Sequence, residues 1–146
     1  MTDTLDDIVA ELQSKIDDDT RKRYGPVGYD RWKNMKFAGV MDAPDGRGDL
    51  RGSCGDTMHI FLRFEDGRVA EASYSTDGCG SSQICGSFAA ELAHGKTPDE
   101  LADFQAQSII DLLGGLPEED MHCAHLAAEA LKEAVGDYLR SGQKPT

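Results

Sequence analysis

The stretch TMHIFLRFEDGRVAEASYST, residues 57–76, decides the fold. Apolar side chains alternate along residues 57–64, which predicts a strand with one buried face; they are Met58, Ile60, Leu62 and Phe64. The Asp66-Gly67 pair that follows supplies the positive φ angles of a tight turn, so residues 69–76 are predicted to return as a second strand. This segment therefore predicts an antiparallel hairpin.

Helical patterns follow the hairpin. Apolar spacing and end signals predict helices over residues 81–94, from 98 onward, over 106–113 and over 122–139. Residues 42–56 are dense in Gly, Pro and Asp, which predicts a loop. Because strands come before helices, the sequence favours an α+β fold, with a small antiparallel sheet of about three strands and helices packed on one face.

The N-terminal region changes the sign of its charge along its length. Seven acids lie within the first twenty residues, and six basic residues follow between Arg21 and Lys36. Gly25-Pro26 is expected to break the helix between the two parts. We therefore predict a helical arm and polar connector over 1–33, a folded domain over 34–140 and a flexible tail over 141–146.

Length and charge exclude several classes of protein. The 146 residues carry 15 Lys+Arg against 27 Asp+Glu, a formal charge of −12. That balance argues against a nucleic-acid binder and against docking on an anionic membrane. No run approaches the length of a membrane span, and the acidic N-terminus lacks the layout of a secretory signal. We expect a cytoplasmic protein.

Three of the four cysteines fall at predicted element boundaries. Cys54 lies in a loop just before a strand, Cys79 in a Gly-Cys-Gly turn before a helix, and Cys123 in the first turn of a helix. A two-disulfide secreted protein is disfavoured by the missing signal, and no Cys-x-x-Cys pair is present. Thiolates are the preferred ligands of zinc and of iron–sulfur clusters. His122 and Asp56, close to two of the cysteines, offer a fourth ligand.

Three blocks in order give the chain a family resemblance. They are Gly52-Ser53-Cys54-Gly55-Asp56-Thr57-Met58, Gly78-Cys79-Gly80-Ser81-Ser82 and His122-Cys123-Ala124-His125-Leu126-Ala127. Together they resemble the Cys-Gly-Asp, Gly-Cys-Gly-Ser and His-Cys-x-x-Leu-Ala blocks of the NifU/IscU family of iron–sulfur cluster assembly scaffolds. The likeness covers roughly residues 34–140.

The resemblance implies a scaffold rather than an enzyme. Cys54, Cys79 and Cys123 would bind a transient [2Fe–2S] cluster, with His122 or Asp56 completing the ligand set. Asp56 would keep the cluster labile, and Cys123 would accept persulfide sulfur. The implied partners are a PLP-dependent cysteine desulfurase, donors of iron and electrons, and apo iron–sulfur acceptor proteins. Zinc can occupy such a site in the isolated protein, and whether two chains share a cluster is left open.

Two departures from the family pattern carry predictions. Leu116-Pro117 is followed by three acids where one branch has the Leu-Pro-Pro-Val-Lys motif of a dedicated heat-shock chaperone, which argues against that partner. Cys85 stands where the family usually has a small residue. It lies about 240° around a helix from Cys79, so we interpret it as a packed side chain.

The other histidines are given structural roles. We expect His59 on the outer or hairpin-packed side of its strand and His94 at a helix C-terminus. His125 lies one helical turn from His122, and we do not assign it as a ligand.

Two other functions stay open from the sequence. One is a zinc-containing sulfur acceptor that stimulates a desulfurase, although relatives of that kind usually carry Arg in place of the His. The other is a structural zinc site in an interaction domain.

Overall fold

A computed structural model describes residues 4–53, 55–78 and 80–142. The elements in chain order are α1 (Thr4–Lys33), β1 (Gly46–Arg51), β2 (Thr57–Glu65), β3 (Arg68–Thr76), α2 (Gly80–Ala93), α3 (Pro98–Ala102), α4 (Ala106–Leu113), a 3-10 turn (Glu118–Asp120) and α5 (Met121–Gly142). Residues 143–146 of the predicted tail lie outside the described residues, whereas Ser141 and Gly142 end α5. The predicted α+β class is confirmed.

The sheet has three antiparallel strands in the order β1-β2-β3. The predicted hairpin is confirmed, with Glu65 paired to Arg68 across the turn. Asp66 and Gly67 both have positive φ, at 54° and 78°. Two such residues make a type I′ turn, whose twist matches that of the strands it joins.

Strand β1 occupies part of the segment predicted as loop, so that prediction is wrong for residues 46–51. Gly46 and Gly48 lie against the backbone of α5, and a Cβ on Gly48 would overlap the carbonyl oxygen of Ala130. These glycines let the helix cross the strand at backbone contact distance. The same glycines that predict a loop are needed here because a helix packs closely on the strand.

Helices α2 and α5 cover the inner face of the sheet. The core joins the inward side chains of the strands to those of the two helices, and it includes Met58, Ile60, Leu62, Tyr74, Ile84, Phe88, Ala127 and Leu131. Cys85 is fully buried in this core, as predicted. The apolar side chains of α5 pack along the same strands, so the first turn of α5 lies at one end of the sheet.

Helix α1 is two helices joined by a kink at Gly25, whose φ of 77° and ψ of 177° are not helical. The predicted break is confirmed, but residues 26–33 are helical and not the polar connector we predicted. Pro26 has no N–H to lose at the start of a helix, which explains why the second half begins there. Its Arg31 is buried, donates to Ser87 at 2.9 Å and pairs with Glu91 at 2.5 Å, and so fixes this half to α2.

The short helices have the predicted ends. Thr97 and Glu100 form a reciprocal capping box at the start of α3. Gly114 ends α4 in the left-handed conformation. Across the described residues, no helix combines the length and apolar character that crossing a membrane requires.

Candidate functional site

Asp56 is held at the entrance of β2 by hydrogen bonds between strand ends. The N–H of Thr57 donates to Asp77 Oδ1 at 2.7 Å, and Thr76 Oγ1 donates to the carbonyl of Thr57 at 2.6 Å. The carbonyl of Asp56 itself accepts from the N–H of Gly52 at 2.8 Å. These bonds place the segment before β2 beside the segment after β3, so Asp56 faces the start of α2.

Ser82, in the first turn of α2, joins Asp56 to Cys123. Its hydroxyl lies 3.1 Å from Asp56 Oδ2 and 3.4 Å from Cys123 Sγ. Ser82 and Cys123 are both fully buried. Three elements that are distant in the sequence therefore meet at one hydroxyl group.

Gly78 provides the space for this meeting. A Cβ at Gly78 would lie 2.5 Å from Ser82 Oγ and 2.7 Å from Asp56 Oδ2. Any side chain at this position would separate the hydroxyl from the carboxylate. Gly78 thus has a steric role, because the absence of a side chain leaves room for the contact between Ser82 and Asp56.

His122 adds a nitrogen donor next to the sulfur. Its Nε2 lies 3.5 Å from Cys123 Sγ, and its side chain is exposed while Cys123 is buried. His122 also lines a cleft of about 310 Å³. The rest of the lining comes from β1, the segment after it and the next turns of α5, namely Leu50, Arg51, Gly52, Ser53, His125, Leu126 and Glu129. The imidazole of His122 is therefore exposed to solvent and also lies next to the sulfur of Cys123.

The 3-10 turn before α5 is fastened to α1. Asp120 is buried and accepts from Arg23 Nη2 at 2.8 Å, and Glu119 lies 3.6 Å from the same nitrogen. Two of the three acids that follow Leu116-Pro117 are therefore paired with a cation. This pairing fixes the start of α5, on which His122 and Cys123 lie.

The predicted ligand set is described only in part. Asp56 and Cys123 both contact Ser82 and His122 lies beside Cys123, whereas Cys54 and Cys79 lie outside the described residues. Within residues 4–53, 55–78 and 80–142, no three His, Cys, Asp or Glu side chains form a group that could hold a metal ion. The complete ligand set thus stays a prediction.

The remaining histidines lie elsewhere. His59 is on the outer face of the sheet, where it stacks on Phe61 and pairs with Asp49. Burial would raise the pKa of the Asp49 carboxyl, but hydrogen bonds from His59 and Arg47 bring it below its ordinary value. His94 is exposed just after α2, close to its predicted place.

A family model described as "NifU-like N terminal domain" matches residues 23–144. The chain belongs to this family. The match begins in α1 just before the kink, so the half of α1 that packs on α2 is part of the family domain. The resemblance seen in the three sequence blocks is confirmed.

Relatives at about one-third identity carry scaffold names. The chain is 35% identical over 122 residues to "Iron-sulfur cluster assembly scaffold protein IscU 1" of Archaeoglobus fulgidus, covering 83% of this chain and 80% of that protein. It is 35% identical over 120 residues to the IscU scaffold protein of Azotobacter vinelandii, covering 79% and 93%. A NifU-like protein from Brucella abortus has the same fold, with a TM-score of 0.63 at 21% identity over 82% of this chain and 96% of that one.

Sequence reasoning missed Ser82 as a site residue. Ser81 and Ser82 open the predicted helix over residues 81–94, and the sequence gives Ser82 no role in the site. The second block of the resemblance contains Ser82, but nothing in it marks the hydroxyl as a link between Asp56 and Cys123. Only the fold brings those two side chains to it.

Proposed function

We propose that this chain is a scaffold on which a transient [2Fe–2S] cluster is assembled and passed to acceptor proteins. The observation that carries the proposal is the convergence of Asp56 and Cys123 on Ser82 beside His122, in a member of the NifU-like family. The relatives named above as iron–sulfur cluster assembly scaffolds support the same conclusion.

The donor chemistry suits a cluster that must leave again. We assign Cys54, Cys79 and Cys123 as thiolate ligands, with Asp56 or His122 completing the set. Four thiolates would favour storage, whereas a carboxylate or imidazole in one position gives weaker and exchangeable ligation. Two neighbours of the other cysteines support this ligand set. Ser53, next to Cys54, lines the same cleft as His122. Gly78, next to Cys79, lies against Ser82.

Sulfur would arrive as a persulfide. The Cys123 thiolate attacks the terminal sulfur of the persulfide on a PLP-dependent cysteine desulfurase, the sulfur–sulfur bond breaks, and the desulfurase thiolate leaves. Electrons from a separate donor then reduce the transferred sulfur to sulfide, and iron comes from an iron donor. Cys123 is buried, so this step requires the α5 start to open towards the partner.

Anaerobic reconstitution tests the function. The purified chain, given ferrous iron, cysteine, a desulfurase and a thiol reductant as the electron donor, is expected to develop the visible absorption of a [2Fe–2S] centre with iron and acid-labile sulfide in equal amounts. The control is the same mixture without the desulfurase. A colourless product that binds zinc alone would contradict the scaffold and favour the zinc sulfur acceptor or the structural zinc site.

The role of Asp56 gives a separate prediction. Asp56→Ala is expected to yield a cluster that persists longer, because the exchangeable carboxylate is gone, while assembly still proceeds. The measurement is the decay of the visible absorption in the presence of a chelator, compared with Asp49→Ala, which removes a carboxylate from the outer face of the sheet. Unchanged or faster decay in Asp56→Ala would remove Asp56 from this role.

A further inference from the structure

Ser82 is a fully buried hydroxyl with two acceptors in front of it. Asp56 Oδ2 lies 3.1 Å away and Cys123 Sγ lies 3.4 Å away, and they come from positions 26 residues before and 41 residues after Ser82. Gly78 leaves this contact open, since a Cβ there would approach both Ser82 Oγ and Asp56 Oδ2. The Asp56 carboxylate and the Cys123 sulfur, both proposed ligands, therefore meet at a hydroxyl group that is not assigned as a ligand.

The contact with Ser82 leaves part of the carboxylate available. A hydroxyl has one hydrogen to donate, whereas a carboxylate has two oxygens, each able to accept. Ser82 engages Oδ2, so Oδ1 of Asp56 is left to bind a cation. Hydrogen bonds of this kind orient ligating carboxylates, and their loss typically lowers metal affinity by about 10- to 100-fold.

We propose that Ser82 is a positioning residue for the metal site, which sets the Asp56 carboxylate against the Cys123 sulfur from the first turn of α2. The inference rests on the proposed function in one respect, because it takes Asp56 and Cys123 as ligands. It goes further in assigning a role to a side chain that is not a ligand itself.

Cobalt(II) binding tests this role without cluster assembly. Cobalt(II) bound by thiolates gives a charge-transfer band in the near ultraviolet and ligand-field bands in the visible, and its affinity is measured by competition with a chelator under anaerobic conditions. Ser82→Ala is expected to keep the charge-transfer band, to shift the visible bands, and to weaken binding by about tenfold. Ser82→Thr, which restores the hydroxyl, is expected to recover the wild-type visible bands.

Ser81→Ala is the matched control. Ser81 is the preceding residue in the same turn, is equally buried, and also makes a hydroxyl hydrogen bond, to Tyr24 at 3.0 Å. Its loss is expected to leave cobalt affinity unchanged. A general loosening of the α2 start would affect both serine variants, whereas a positioning role affects Ser82 alone.

A double-mutant comparison shows whether Ser82 acts through Asp56. Asp56→Ala is expected to weaken cobalt binding, and adding Ser82→Ala to it is expected to change the affinity no further. Gly78→Ala supplies a second variant in case Ser82→Ala does not fold. It keeps the hydroxyl but pushes it away from the carboxylate, so it is expected to weaken cobalt binding about as much as Ser82→Ala does.

The outcomes separate the inference from the proposed function. If the wild-type chain shows no thiolate-to-cobalt band, the ligand set is wrong and the inference falls with it. If the wild-type chain binds cobalt through thiolates but Ser82→Ala and Gly78→Ala bind equally well, the inference alone is overturned. Equal weakening by Ser81→Ala, or additive effects of Ser82→Ala and Asp56→Ala, would likewise overturn it.

Discussion

Gly48→Ala is expected to lower the free energy of unfolding by about 3 kcal/mol, the upper end of the usual cost of overpacking. A Cβ on Gly48 would overlap the carbonyl oxygen of Ala130 and lie 2.7 Å from the amide nitrogen of Ala134. Both obstacles are backbone atoms of α5, which cannot rotate away as a side chain would. Either β1 or α5 must shift, and contacts across the inner face of the sheet are lost with it.

Gly136→Ala is the matched control for this substitution. Gly136 lies in α5 itself, and its Cβ would meet only the end of the Arg140 side chain, at 3.3 Å. Alanine is the better helix former, so this variant is expected to gain up to about 1 kcal/mol. Urea denaturation followed by circular dichroism measures both variants. A Gly48→Ala protein as stable as the wild type would show that α5 does not cross β1 at backbone contact.

Features set by neighbouring residues could be predicted from the sequence. The hairpin turn follows from Asp66-Gly67, and the start of α3 follows from Thr97 with Glu100, because each signal lies within a few residues of the feature it sets. Strand β1 could not be predicted in this way. Its glycines are explained by Ala130 and Ala134 of α5, which lie more than eighty residues further along the chain. Because glycine stands at two of its inward positions, β1 lacks the alternating apolar side chains that predict β2.

The candidate site could likewise be predicted only in part. The residue types and their order pointed to Asp56, His122 and Cys123, since donor atoms of those kinds suit a metal or cluster. The hydrogen bonds among them were out of reach, because Ser82 gains its partners only when α2, α5 and the loop before β2 come together. The helical residues 26–33 were missed for a related reason: their stability comes from the buried contact of Arg31 with α2, and not from helix propensity.

The four cysteines are expected to separate into two classes when each is replaced by serine. Cys123→Ser, Cys54→Ser and Cys79→Ser are each expected to lower the yield of reconstituted cluster on the order of tenfold, because a hydroxyl would replace one of the thiolates that we propose as ligands. Cys85→Ser is expected to leave the yield nearly intact, since Cys85 lies in the hydrophobic core, where it packs as a small apolar side chain.

Cys85→Ser is instead expected to lower the free energy of unfolding. A hydroxyl buried in that core costs roughly 1–3 kcal/mol unless it finds a hydrogen-bond partner, so the variant is expected to unfold at lower urea concentration than the wild type. Cluster yield must therefore be expressed per folded chain, with absorbance and circular dichroism read on the same sample. Cys85→Ser is then expected to lower the urea midpoint and to keep the cluster. Cys123→Ser is expected to lose the cluster in the chains that remain folded. Equal loss of cluster in all four variants would place Cys85 among the groups that the cluster requires, and the assignment of its sulfur to the core alone would be wrong.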